Sequence, residues 1–144
     1  MKNVKQSICV SFKKELLQGI HDVFNHDFYI ILLNNNEQKL NEYIESYYDI
    51  TTEVETKDGY FKGGKKLNNP QIIQDENIII LTFDNIEWND ISLFVDSAFI
   101  YNNSLENKNA VAIINFNEKY QTDFGDFIIE FPEANKENGF IRII

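Results

Sequence analysis

The 144-residue chain has a single cysteine, Cys9, so no intrachain disulfide can form and no multi-cysteine zinc site exists. It has two histidines, His21 and His26. Their spacing of five residues across a predicted helix end does not put them well on one helical face, so surface or capping roles are expected ahead of a metal pair. Basic residues are scarce: 13 Lys and Arg stand against 23 Asp and Glu, a formal net charge of −10. A chain of that sign is a poor ligand for a phosphate backbone, and no nucleic-acid partner is expected. No apolar run approaches the length that spans a bilayer, and no polybasic segment suits an anionic membrane, so no membrane insertion is expected. The start, "MKNVKQSICVSFKKELL", carries lysines where a secretory signal would need an apolar core. These absences predict a soluble protein made in a cytoplasm.

Apolar and aromatic residues are plentiful, at 43% and 14% of the chain, which excludes a disordered tail and supports one sizeable core. Ile, Phe and Tyr dominate that set and suit a pleated surface. Phe12, Leu16, Ile20 and Val23 recur at three- and four-residue steps, predicting an amphipathic helix over 11–24, capped by Ser11 and weakened by Gly19. "DFYIILL" followed by three asparagines reads as a strand over 27–33 with a turn behind it. The segment 37–50 is compatible with a short helix or an irregular arm. Further strands are expected near 60–67, 71–74, 77–83, 92–101, 110–117, 125–131 and 140–144. In the sixth of these Phe127, Ile129 and Phe131 face one way and Asp126, Ile128 and Glu130 the other, with Pro132 ending the pairing. The predicted architecture is mainly β: a single antiparallel β-sandwich, jelly-roll or Ig-like, with one N-terminal amphipathic helix. Residues 1–10 form an arm, 11–24 the helix and 27–144 the sandwich.

The stretch "KDGYFKGGKK" places Gly59, Gly64 and Lys65 at the spacing of a phosphate-binding loop. Such a loop joins a buried strand to a helix, so that backbone N–H groups meet the phosphates, and it ends in a Ser or Thr that holds magnesium. Here the preceding "TTEVETKD" does not read as a buried parallel strand. The following "KKLNNPQII" cannot open a helix, and Lys66 stands at the magnesium position. Asp58-Gly59 is instead expected to make a turn, and Gly63-Gly64 to bend the next strand.

Other chemistry is sparse. Cys9 has no marked base and reads as an inert thiol. Asp84, Glu87 and Asp90 surround Trp88 without the spacing of a calcium loop, so they read as solvated turn charge, with Trp88 a core or interface anchor. Asp123, Asp126 and Glu130 could supply paired carboxylates, with Asp126 and Glu130 on one strand face the pair for glycoside-type acid–base work, and solubility at a strand edge explains them equally. Tyr101, Trp88 and Tyr120 are candidate platforms for a glycan.

The blocks "SFKKELLQGIHDV", "DFYIILL", "TTEVETKDGYFKGGKKL", "FDNIEWNDISL", "SAFIYNNSLENKNAVAIINF" and "DFIIEFPEANKENGFIRI" follow one another in that order. In that order the chain resembles a family of small tailed-bacteriophage structural proteins, over residues 11–143. The resemblance implies a virion component, assembled in the bacterial host cytoplasm, with no catalytic residues, metal or cofactor. It implies a tail-fibre or collar protein that forms a homo-oligomer, with a trimer expected for a fibre, and docks on other virion structural proteins. Alternatives are a capsid head-fibre or decoration protein, and a receptor-binding module for a host surface glycan. The chain departs from the family in its Asn-, Ile- and Lys-rich strands and in an acidic, Tyr-rich arm. The interface candidates are Phe12, Leu16 and Ile20 of the helix, Tyr43, Tyr47 and Tyr48 of the arm, and Trp88; the helix with the ten residues before it is the expected docking element.

Overall fold

A computed structural model describes residues 5–36 and 40–144. The chain is mainly β, two antiparallel sheets with one short helix near the N-terminus, as the sequence predicts for a β-sandwich. Sheet one contains β1 (Lys5–Ile8), β2 (Phe28–Leu33), β3 (Lys65–Lys66), β6 (Ile86–Asn102) and β7 (Ala110–Ile129), in the order β1-β7-β6-β2-β3. Sheet two contains β4 (Gln71–Asp75), β5 (Ile78–Thr82) and β8 (Ile141–Ile143), in the order β4-β5-β8.

The long β6–β7 ribbon organises the molecule. It is in register from Tyr101↔Ala110 beside its turn to Ile86↔Ile129 at its far end, with irregularities at Trp88/Ile91, Ile91/Leu93, Val95/Ser97 and Ile100/Tyr101. Eleven residues of straight strand separate their ends by about 36 Å. Yet the rings of Phe116 and Phe127 lie 6.1 Å apart, with Tyr120 5.7 Å from the first and 6.1 Å from the second. The ribbon therefore creases and packs its far half back onto its near half. Asp90, Asn117 and Phe124 have positive φ in this stretch, as bulged strands require at their bends. The inward residues of the far half, Trp88, Ile91, Leu93, Val95, Phe127 and Ile129, share one core with Phe99, Ile113 and Phe116 of the near half. Leu81 and Ile141 bring sheet two into the same core, and Phe83 touches both Phe28 and Phe131.

Several expected boundaries shift. The helix α1 is Val10–Leu17, shorter than 11–24, and its N-cap is Cys9 rather than Ser11. Gly19 ends it instead of weakening its middle: at φ +72 it donates to Leu16 O while Ile20 donates to Glu15 O, the paired bonds of a left-handed C-terminal cap. The expected arm is not free, because Lys5–Ile8 pair with β7 through Lys5↔Asn115 to Ile8↔Ala112; residues 1–4 lie outside the described residues. The strands expected over 110–117 and 125–131 are one strand, and the turn expected at Trp88 lies within β6. Of the strand expected over 60–67, only Lys65–Lys66 pair. Residues 37–39 lie outside the described residues, and 40–50 form an irregular arm with one 3₁₀ turn at Tyr47–Asp49.

Candidate functional site

The glycine stretch is a backbone device. Asp58 and Gly59 both have positive φ, and Tyr60 N donates to Lys57 O, which closes a two-residue hairpin turn of the primed kind. A β-carbon on Gly64 would lie 1.9 Å from Ile30 O, so β2 and this loop can touch only where no side chain intervenes. The residues after Gly64 enter β3, not a helix. Lys65, the nominal phosphate lysine, donates to Glu87 O and sits 5.5 Å above the Trp88 ring.

Beneath that loop lies a carboxylate cluster that sequence reasoning missed. Glu53 accepts from Tyr47 Oη (2.6 Å), Tyr60 Oη (2.6 Å) and Gly63 N (2.8 Å). Tyr101 Oη donates to Gly63 O, and the Tyr101 ring stacks on Tyr47 at 4.7 Å. Burial, reinforced by Glu53, pushes the Tyr47, Tyr60 and Tyr101 hydroxyls above their ordinary range. These phenols hold their protons, so the cluster ties the 40s arm and the glycine loop to β6 as a clasp.

A second polar cluster joins the end of α1 to the β6–β7 turn. Asn102, fully buried, places one amide nitrogen 3.0 Å from His21 Nδ1 and 2.9 Å from His26 Nδ1. His21 Nε2 lies 2.9 Å from Glu15 Oε1, and Asn109 Nδ2 donates to Glu15 Oε2. The fold thus brings together the two histidines that their spacing had set apart, and neither serves only the surface. No group of three or more metal-ligating side chains forms among the described residues. The clue in the sequence was polarity out of place: Asn102 ends the apolar run "SAFIY" and is as buried as its neighbours.

The interface candidates divide. Phe12 is buried and Leu16 half-buried, so both serve the core; Ile20 lies beyond α1 and is exposed, at 37%. Tyr47 belongs to the clasp, whereas Tyr43 and Tyr48 are 71% and 66% exposed. Trp88 is a core residue, which removes it as a surface anchor and, with buried Tyr101, removes two of three glycan platforms. Tyr120 donates to Glu118 and packs on Phe116. Missed by periodicity was Leu17, 93% exposed at the last turn of α1. Val10 and Tyr43, also exposed, line a shallow groove of about 250 Å³ along α1 with Lys14 and Gln18.

The remaining chemistry is modest. Asp126 and Glu130 do share the outer face, where the strand register sets Glu87 opposite Ile128. The Asn89 amide, turned as a donor, lies between Asp126 and Glu87 and reaches their carboxylates at 3.1 and 2.8 Å. Burial pushes the Cys9 thiol up to about 12, so it is not a thiolate near neutrality. No helix among the described residues is long and apolar enough to cross a membrane. No family model, curated protein or solved structure matches this chain.

Proposed function

We propose that this chain is a structural protein of a tailed-bacteriophage virion, a non-enzymatic tail-fibre or collar subunit that assembles as a homo-oligomer. The observation that carries the reading is the ordered series of sequence blocks over residues 11–143. The disposition of polar groups supports it: the tyrosine hydroxyls around Glu53 and the imidazoles around Asn102 are spent on internal bonds. What the surface offers is apolar and aromatic, Val10, Leu17 and Tyr43 beside α1. We assign this face to docking on a neighbouring virion protein.

Removing residues 1–10 would also delete β1, so point substitutions are the cleaner test. Leu17→Asp with Tyr43→Asp should leave folding unchanged and abolish incorporation into particles, read by mass spectrometry of purified virions. Normal incorporation of the double variant would sink the docking assignment. A wild-type chain that is monomeric by light scattering at tens of micromolar and absent from the particle would sink the whole reading. A glycan-binding role retains the half-exposed Tyr120 and gains the exposed Tyr43 and Tyr48, and selective loss of glycan-array binding in Tyr48→Ala would favour it.

A further inference from the structure

The His21–Asn102–His26 cluster determines its own protonation. Asn102 Oδ1 accepts from Ser104 N at 3.0 Å, which fixes the amide with its nitrogen toward the histidines. That NH2 group has two hydrogens, and each finds one imidazole Nδ1. His26 Nδ1 also lies 3.1 Å from Asp22 N, a backbone donor that cannot turn around. Both Nδ1 atoms must therefore be lone-pair acceptors, and both rings neutral with the proton on Nε2. His21 Nε2–H then donates to Glu15.

We propose that this cluster is a proton-operated latch, holding the segment from the end of α1 to β2 against the β6–β7 turn only while both imidazoles are neutral. Protonating His26 places an N–H against two donors and removes two hydrogen bonds at once. Protonating His21 removes one and leaves its bond to Glu15. If Asn102 turned over to accept from the cations, its nitrogen would face Ser104 N, and the Asp22 conflict would remain.

The charged and titratable groups around the latch are few. Glu15 of α1 faces His21 and favours the cation, while His26 opposes it. Asp22 and Asp27 flank His26 on its own segment, and Lys66 of β3 lines the same cleft. Phe12 and Phe28 pack on the His21 ring, at 4.7 and 6.2 Å. Burial outweighs Glu15 and lowers the His21 pKa, the direction a neutral-only contact requires. The unfolded chain then binds more protons than the folded one, so the latch weakens as pH falls through the ordinary histidine range near 6.5.

Amide hydrogen exchange, corrected for intrinsic rates, tests this on the intact chain. Between pH 7.5 and 5.0, exchange over residues 18–27 and 103–109 should accelerate at least tenfold, with β2 and the near half of β7 unchanged. The double variant His21→Asn/His26→Asn keeps an acceptor near each Nδ1 position and has no imidazole to protonate, so it should remove most of that acceleration. Equal exchange at both pH values, or the same acceleration in the double variant, would overturn the latch. Independently of any variant, nitrogen chemical shifts of the wild-type imidazoles at pH 7.5 should report the Nε2–H tautomer for both rings. An Nδ1–H tautomer at either ring would overturn it as well.

Discussion

The two halves of the β6–β7 ribbon obey different rules. Near the turn, residues 97–102 and 110–114 are buried on both faces, because β1 and β2 flank the ribbon and other layers cover it above and below. Past the crease, residues 86–96 and 126–129 largely alternate between core and solvent, residues 117–125 include none that is buried, and three of the four register irregularities fall between or beside these segments. One strand pair thus passes from a two-sided interior to a one-sided surface. The buried half tolerates no polar group without a partner, as Asn102 shows, whereas the outer half carries Glu87, Asp126 and Glu130 facing solvent.

Substitutions should separate the halves by size of effect. The largest loss is expected outside both halves, where the glycine loop meets β2 on the side away from the ribbon. Gly64→Ala forces a β-carbon into Ile30 O at φ +79 and should cost more than about 3 kcal/mol or prevent folding. Phe99→Ala, fully buried, should cost about 3–5 kcal/mol by urea denaturation, whereas Phe94→Ala on the outer face should cost under about 1 kcal/mol. Equal losses at Phe99 and Phe94 would erase the distinction between halves. Glu53→Gln keeps the shape of the clasp but turns an amide toward the donors Tyr47, Tyr60 and Gly63. A loss of about 2–3 kcal/mol is expected, seen as a lower Tm.

The clasp also sets an alkaline limit. Its tyrosines have folded pKa values raised above the ordinary value near 10, so the unfolded chain loses phenolic protons first. The clasp's contribution to stability should be constant below that pH and fall above it, and a denaturation midpoint unchanged between pH 9 and 11 would contradict the buried hydrogen bonds. The smallest effect belongs to the outer half. Phe124 is 63% exposed with φ +51, so Phe124→Gly should be neutral or stabilise by up to about 1 kcal/mol in the same urea titration.

The contrast between halves also explains what the sequence revealed. The alternation of Phe127 and Ile129 with Asp126, Ile128 and Glu130 was legible because one face meets water, and the structure places each as the pattern predicts. The turn at Asp58-Gly59 was legible from local chemistry, and so was the class of fold. The single ribbon was not: Asn, Glu and Lys at 117–119 look like a loop, and they form the irregular stretch between the pairs Ser97↔Asn115 and Val95↔Tyr120, with Asn117 at φ +65, inside one continuous strand. The polar clusters were invisible for a different reason. Glu53 meets Tyr60, Tyr47 meets Tyr101, and Glu15 meets Asn109, across separations that no periodicity encodes. Of the two readings of Trp88, core and interface anchor, the structure gives the core, and the exposure of Leu17 was not foreseen, because helix length and strand crease, not composition, decide which side chain reaches the surface.

The crease has one more consequence. Each bulge adds a residue that shifts the phase of everything beyond it, so the far half is in step only with its present count of residues. Deleting one residue from 122–125 would swap the two sides of the strand, turning Phe127 and Ile129 outward and driving Asp126, Ile128 and Glu130 into the apolar interior. Length variation in a relative of this chain should therefore accumulate in the turn at 103–109, where an added residue alters no phase.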